Sequence, residues 1–306
     1  MATILIGGGS GLIGRKLSAM LIDKGYDVII LSRKPQQSQN PRLSFATWNT
    51  DNGTIDINAV AKSDYIINLA GEGVADKRWT KKQKKKIIDS RVKSCELIVH
   101  TLRNNANKVK AVINASGISW YGEDGDNKGV AFTEDAPVAN DFLGNTCKLW
   151  EESIDPVTAL GKRLVKMRTG IVLSRDGGAL PEFVKPLRLG VAAILGSGKQ
   201  MQSWIHIDDM CRLYIYAIEN DNIQGAYNAA APKPVDIKTL VHAVAQKKKG
   251  AFYIPIYVPA FILKLMLGEV SSEILKSITV SSAKIRRTGF QFIFPSIEAA
   301  VNDLIQ

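Results

Sequence analysis

The stretch TILIGGGSGLIG, residues 3–14, decides the fold. Thr3–Gly7 is a short apolar run of buried-strand type, and it passes without a spacer into a glycine-rich turn. From Gly11 to Lys24, apolar residues recur at helical spacing (Leu12, Ile13, Leu17, Met20, Leu21), and Gly25 stands where a helix C-terminal glycine belongs. Asp27–Leu31, with Val28, Ile29, Ile30 and Leu31, is a second buried strand. Strand, turn, helix and strand within about thirty residues make a βαβ unit, and in that context the glycine pattern predicts a bound dinucleotide. Gly8 permits the tight turn, Gly11 lets the backbone approach a pyrophosphate, and Gly14 lets the helix pack close to the strand. The amides at the helix start, around Leu12 and Ile13, point at the phosphates, whose charge the helix dipole favours.

The tip of the second strand separates the two nicotinamide cofactors. An acidic residue there bonds the ribose hydroxyls and disfavours a 2′-phosphate. This chain carries Ser32, Arg33 and Lys34 instead. A hydroxyl and two cations suit a 2′-phosphate, which a guanidinium can hold in a bidentate fork, so the expected cofactor is NADP(H). Arg91 lies three residues after Ile88 and four before Cys95, in the apolar stripe of a long helix. A guanidinium there needs a phosphate or carboxylate partner, or it snorkels along the helix edge.

Outward from the turn, strands and helices alternate. Leu43–Trp48, Tyr65–Leu69 (running into Ala70-Gly71), Ala111–Ala115, Leu164–Leu173 and Tyr227–Ala230 read as strands. Thr80 and Gln83 form a capping-box pair for a helix whose stripe is Ile88, Val92, Cys95, Val99 and Leu102. Asn140–Ala159 and Asp208–Glu219 read as helices, with Pro156 blurring the end of the first. The pattern predicts an α/β fold, a Rossmann-type doubly wound parallel sheet over residues 1–232 with a substrate-side excursion at about 175–202. From about Val235 the pattern changes, and 233–306 reads as a smaller, mostly helical C-terminal domain on the substrate side.

Composition narrows the function classes. The chain has 306 residues, 45% of them hydrophobic, enough for a real core. No apolar run approaches the roughly 18 residues of a membrane span, and the N-terminus lacks signal-peptide character; no membrane partner is expected. Three cysteines, Cys95, Cys147 and Cys211, form neither a disulfide framework nor a metal pattern, which suits a reducing cytoplasm. Cys147 falls in an apolar stripe and reads as a buried, inert thiol. The net charge of +11 is densest at Lys81, Lys82, Lys84, Lys85 and Lys86. Without interleaved aromatics this run reads as a solvated helix face rather than a nucleic-acid site. The three histidines, His100, His206 and His242, lie far apart, so neither a metal site nor a triad is expected; Asp208 or Asp209 after His206 reads as a helix cap.

Together these segments resemble an extended or atypical short-chain dehydrogenase/reductase, and within it a nucleoside-diphosphate-sugar epimerase-like group that ends in a domain of unknown function. The resemblance rests on GGGSGLIG (7–14), SRKP (32–35), NLAGE (68–72), RWT (78–80), DSR (89–91), ASGISWYGE (115–123), FTE (132–134), DFLGNTCKLWE (141–151), RTGIVLSRDGGAL (168–180), SWIHIDDM (203–210) and GFQFIFP (289–295), almost the whole chain. It implies that Ser32, Arg33, Leu69, Ala70, Arg91 and Val172 fall at cofactor-contacting positions, with Gly71 beside them. It further implies that the loops after Leu173 and the C-terminal region cover the substrate side. A small-molecule substrate is implied, with nucleotide sugars suggested by the group's label.

The catalytic expectation comes from the same resemblance. The superfamily uses a Ser or Thr and a Tyr-x-x-x-Lys pair on one helix face, the lysine holding the nicotinamide ribose and lowering the tyrosine pKa for proton exchange. Ser116 matches the first position and Lys148 resembles the lysine, but Gly144 stands where the tyrosine belongs. Three readings remain open. Tyr121, five residues after Ser116, acts in its place or is a pocket-wall aromatic. A water supplies the proton in hydride chemistry. Or the protein binds NADP(H) as a sensor or regulator without turnover.

Overall fold

The computed structural model describes residues 2–125 and 129–305. Its first half comprises β1 (Thr3–Gly7), α1 (Leu12–Asp23), β2 (Asp27–Ser32), β3 (Leu43–Asn49), β4 (Thr54–Ile55), α2 (Ile57–Lys62), β5 (Tyr65–Asn68), α3 (Lys81–Asn104), β6 (Ala111–Gly117) and α4 (Phe142–Ile154). Then come β7 (Arg163–Thr169), β8 (Ile171–Ser174), β9 (Gly177–Gly178), α5 (Leu180–Leu187), β10 (Val191–Leu195), β11 (Met201–Gln202), β12 (Trp204–His206), α6 (Ile207–Glu219) and β13 (Gly225–Ala229). The chain ends with β14 (Val235–Asp236), α7 (Ile237–Lys249), β15 (Ile254–Val258), α8 (Ala260–Leu267), α9 (Val270–Leu275), α10 (Ala283–Arg287) and α11 (Ile297–Leu304).

Eight strands form the main sheet in the order β13-β7-β6-β5-β1-β2-β3-β4, parallel except for the β3–β4 edge pair. The chain runs outward from β1 through β2 and β3, then returns to build β5, β6, β7 and β13 on the other edge of β1. The reversal leaves a crevice at the C-terminal ends of β1 and β5, where doubly wound sheets take their ligands. Both faces are covered, so successive strand residues enter different cores. Ile4, Ile6, Val28 and Ile30 pack with Leu17 and Leu21 of α1 and Met210 and Tyr214 of α6. Leu5, Ile29 and Leu31 pack with Val60 of α2, Ile98 of α3 and Trp150 of α4.

Two elements differ from the sequence expectation. The run Leu164–Leu173 is two strands, not one. Gly170 separates them because its Cα lies against the Ser203 carbonyl, 2.5 Å from where a Cβ would stand. Beyond it, β8 leaves the main sheet to pair with β12. The helix expected over Asn140–Ala159 stops at Ile154 and tightens into a 3-10 turn, Asp155–Leu160, where Pro156 has no N–H to continue the α ladder. The segment after 233 is woven into the excursion at about 175–202, with β14 antiparallel to β11 and β15 parallel to β10.

Candidate functional site

The glycine turn is built from the backbone. Gly8 has φ +76°, and a Cβ on it would sit 2.7 Å from the Leu69 carbonyl carbon, so β1 and β5 meet there without a side chain between them. At Gly14 a Cβ would lie 2.5 Å from the Gly8 carbonyl oxygen, which fixes α1 tight against the turn. Gly11 is the N-cap residue of α1, and no side chain caps the helix. Its first turn holds no carboxylate, so the amides around Leu12 and Ile13 face the crevice as a positive helix end. The residues present therefore fit a pyrophosphate. At the tip of β2, Arg33 and Lys34 are exposed and, among the described residues, neither side chain makes a hydrogen bond or ion pair. The Ser32 hydroxyl accepts from the Gln36 side chain at 2.8 Å.

Across the crevice, Leu69, Ala70 and Gly71 follow β5. The Arg91 guanidinium packs under Gly71, 3.1 Å from the position of a Cβ there, and stacks 4.8 Å from the Trp150 ring. It donates to the carbonyls of Glu72 at 3.0 Å and Ile87 at 2.9 Å. No carboxylate pairs with it among the described residues, and burial holds its pKa below the ordinary arginine value. Val172 lies in β8, the strand that follows β7 in the chain, opposite Ile205 of β12.

A second constellation lies beyond the ends of β6 and β7. The Ser116 hydroxyl donates to Glu151 at 2.8 Å. The carboxylate of Glu151, on α4, takes the Arg168 fork through Nε at 2.8 Å and Nη2 at 3.1 Å, with Lys166 at 3.4 Å. Arg168 also donates to the Tyr121 hydroxyl at 2.9 Å and the Glu134 carbonyl at 2.9 Å, and lies 3.8 Å from the Trp120 ring. Tyr121 donates to Asn228 at 2.6 Å, and the Asn228 amide donates to the Glu134 carboxylate at 2.8 Å. Ser116, Glu151, Arg168 and Asn228 are all buried. Burial pushes the Tyr121 phenol up to about 12, against the pull of the Arg168 charge. Burial also opposes the charge on Arg168, but its bonds and attraction to Glu151 carry its pKa above the ordinary value.

The structure thus brings Ser116 and Tyr121 into one network and leaves Lys148 outside it, half exposed and 3.8 Å from Glu152 one turn along α4. The Gly144 position is filled by backbone. The Ala139 carbonyl oxygen lies 2.4 Å from where a Cβ would be, and the Ala139 amide donates to the Trp120 carbonyl at 2.7 Å. A tyrosine has no room there. Glu151, Arg168, Asn228 and Glu134 were not anticipated from sequence. The signal was present for two of them: Glu151 is four residues after buried Cys147 on the apolar stripe of α4, and Arg168 interrupts the buried strand Leu164–Thr169. Charges at such places require partners.

Three further readings resolve. Cys147 is buried, its thiol pushed up to about 12 by burial. The N-cap of α6 is His206, not Asp208 or Asp209: its Nδ1 accepts the Asp208 amide at 3.0 Å, while Nε2 meets Asp303 at 3.2 Å and the ring stacks on Phe294. Asp209 is buried and instead accepts the Ile293 and Phe294 amides, pinning the GFQFIFP segment to α6. Lys84 does not belong to a bare solvated face. It pairs with Glu269 near α9 and lies 5.0 Å from the Phe142 ring. With Arg78 on the Leu265 and Met266 carbonyls and Lys276 on Asp141 at 2.9 Å, it ties the C-terminal region over the start of α4. Among the described residues, no three His, Cys, Asp or Glu side chains come together as a metal site.

Fold, glycine turn and crevice together define a doubly wound α/β protein of the NAD(P)-binding type. Residues 4–150 and 158–230 match the NAD dependent epimerase/dehydratase family, to which the chain belongs, and residues 258–304 match a domain of unknown function, DUF1731. The chain is 33% identical over 303 residues to the epimerase family protein YfhF of Bacillus subtilis, covering 99% of this chain and 97% of that one. It superposes on human epimerase family protein SDR39U1, crystallised with NADPH, with a TM-score of 0.83 and 27% identity over 99% and 98% of the two chains. The Bacillus cereus UDP-glucuronic acid 4-epimerase, in complex with UDP-glucuronic acid and NAD, shares the fold at 20% identity and a TM-score of 0.79 over 99% and 97%.

Proposed function

We propose that this chain is an NADP(H)-dependent oxidoreductase or epimerase-like enzyme acting on a small molecule, with nucleotide sugars the first substrate class to test. The observation that carries the cofactor preference is the pair Arg33 and Lys34 at the tip of β2, exposed, with no side-chain hydrogen bond or ion pair among the described residues and no acidic neighbour in the turn. The 2′-phosphate goes to Ser32, Arg33 and Lys34. The pyrophosphate goes to the amides of the Gly8–Gly14 turn around Gly11, Leu12 and Ile13. Leu69, Ala70, Gly71 and Val172 wall the crevice, and Lys148 faces the nicotinamide ribose. Arg91, which makes no ion pair with a carboxylate among the described residues, supplies charge on the β5 side. When bound, the cofactor supplies the hydride chemistry. Ser116, its hydroxyl held in place by Glu151, orients the reacting oxygen. Tyr121, held neutral by burial, shapes the pocket and donates a hydrogen bond rather than acting as a phenolate base. The structure of the human relative with NADPH supports the cofactor assignment.

One observation favours a second reading, a cofactor-binding regulator without turnover. Ser116 and Tyr121 already spend their hydroxyl protons on protein partners, and Ala139 closes the Gly144 position. Calorimetric titration and a substrate panel followed at the nicotinamide absorbance band distinguish the two. The expected results are tighter binding of NADPH than NADH, and turnover that falls about a hundredfold in Ser116→Ala. Turnover surviving both Ser116→Ala and Lys148→Ala overturns the site assignment. Tight NADPH retention with no turnover across the panel selects the regulator.

A further inference from the structure

Two segments, Phe183–Ile207 and Ile237–Gly268, contain no Asp or Glu and carry eight Lys or Arg, against a net charge of +11 for the whole chain. They form one layer. β15 pairs with β10, the Ile254 amide donates to the Gly190 carbonyl at 2.8 Å, and Tyr257 packs against Gly198.

The same layer holds eight of the twelve large apolar side chains that stand exposed among the described residues. Leu189 is 87% exposed, Phe252 86%, Leu265 75% and Phe261 71%. Among the described residues β15 pairs only with β10, and four of its five residues are exposed, so both its faces meet solvent. Strands of that kind recruit a partner or aggregate, and a contiguous apolar patch rimmed by charge marks an interaction surface. α8 adds Phe261, Leu265 and Met266 with Lys264 among them.

We propose that this layer is a peripheral docking face for an anionic membrane surface. Lys247 and Lys249 at the end of α7, Lys199 and Lys264 meet the phosphates. The apolar side chains of α8 and of the Phe252–Tyr257 stretch enter the headgroup boundary. Charge decides between occupants. A second copy would bring two surfaces without a carboxylate of their own in these segments face to face, cation against cation, which disfavours self-association, and a nucleic acid would leave the aliphatic side chains in water. Among the described residues no helix is long and apolar enough to cross a membrane, so docking is in the plane of the surface.

The test is co-sedimentation of the full chain with vesicles of phosphatidylcholine alone and of phosphatidylcholine mixed with phosphatidylglycerol. The chain is expected to pellet with the mixed vesicles and not with the neutral ones, and less so as salt rises. The pair Lys247→Glu, Lys264→Glu and, separately, the pair Phe261→Ser, Leu265→Ser each lower that binding roughly tenfold or more. Unchanged thermal melting shows that each variant is folded. Equal pelleting with neutral vesicles, no pelleting with either, or serine variants that bind as well as the parent overturns the proposal. So does a dimer in sedimentation equilibrium that the serine pair converts to monomer, which assigns the face to self-association. Full retention of duplex DNA by the serine variants, with vesicle binding no stronger than DNA binding in the parent, assigns it to nucleic acid.

Discussion

The glycine turn after β1 and the charged cluster beyond β6 and β7 occupy equivalent ends of parallel strands, yet they are built from different materials. The turn is one contiguous stretch whose parts are backbone amides and missing side chains. The cluster takes Ser116, Tyr121, Glu134, Glu151, Arg168 and Asn228 from separate stretches of chain, and their polar atoms are already bonded to one another. The turn presents unsatisfied groups to a ligand. The cluster is internally satisfied, so its first contribution is rigidity, and its chemistry is limited to what a substrate can draw from Ser116. Buried polar networks of this kind hold when complete and fail when one member is removed.

That difference gives the largest expected effect. Arg168→Met leaves the buried Glu151 carboxylate with only the Ser116 hydroxyl and Lys166 at 3.4 Å, so unfolding in urea is expected to show a loss of about 3–5 kcal/mol. A loss below ~1 kcal/mol would mean that the cluster is loosely held and its polar atoms available. The next effect concerns Gly144. If the missing tyrosine were a simple vacancy, a side chain there would be tolerated. The Ala139 carbonyl predicts the reverse: Gly144→Ala overpacks the start of α4 and destabilises by about 1–3 kcal/mol, read as a lower melting temperature. Unchanged melting would show that the Trp120–Ala139 loop moves aside, which reopens the site to a tyrosine.

At the turn, the expected effect is on selectivity rather than stability. Arg33→Ala removes a surface side chain that makes no hydrogen bond or ion pair among the described residues. Melting should be unchanged, while the affinity ratio of NADPH to NADH falls about tenfold to a hundredfold. A fall in affinity for both cofactors alike would place Arg33 on the pyrophosphate instead of the 2′-phosphate.

The same contrast explains what could be read in the sequence. The βαβ unit was legible because strand, turn and helix are local, each set by a short periodicity and by glycines whose roles depend on neighbours a few residues away. The cluster was not, because Ser116 meets Glu151 across 35 positions and Tyr121 meets Asn228 across 107. No periodicity encodes such pairs. Arg168 could be suspected from a charge in a buried strand, but not its partner. The split of Leu164–Leu173 at Gly170 was hidden for the same reason, since the glycine answers to Ser203. The cap of α6 was missed by preference statistics: His206 rarely caps, but here its ring is already held by Asp303 and Phe294, which frees Nδ1 to accept the Asp208 amide.

The smallest expected effect separates the buried thiols from a reactive centre. Burial raises Cys147 from 9.0 to about 12, and Cys95 to about 11. The thiolate is the nucleophile, so at neutral pH the folded chain should take up almost no iodoacetamide at either position, and alkylation should follow unfolding. The stability consequence has a definite sign. Both folded values lie above the unfolded one, so the protonated thiols contribute fully below about pH 9 and that contribution is lost as pH rises towards the folded values. Tyr121, raised from 10.0 to about 12, adds in the same direction at slightly higher pH. Melting temperature should therefore hold through neutral pH and decline on the alkaline side, and the decline should be shallower in Cys147→Ala. Rapid alkylation of native Cys147 at neutral pH would place its sulfur in an open, electropositive setting near Arg91. The cluster beside α4 would then hold a nucleophile, and the distinction between a turn that binds and a network that only holds would no longer stand.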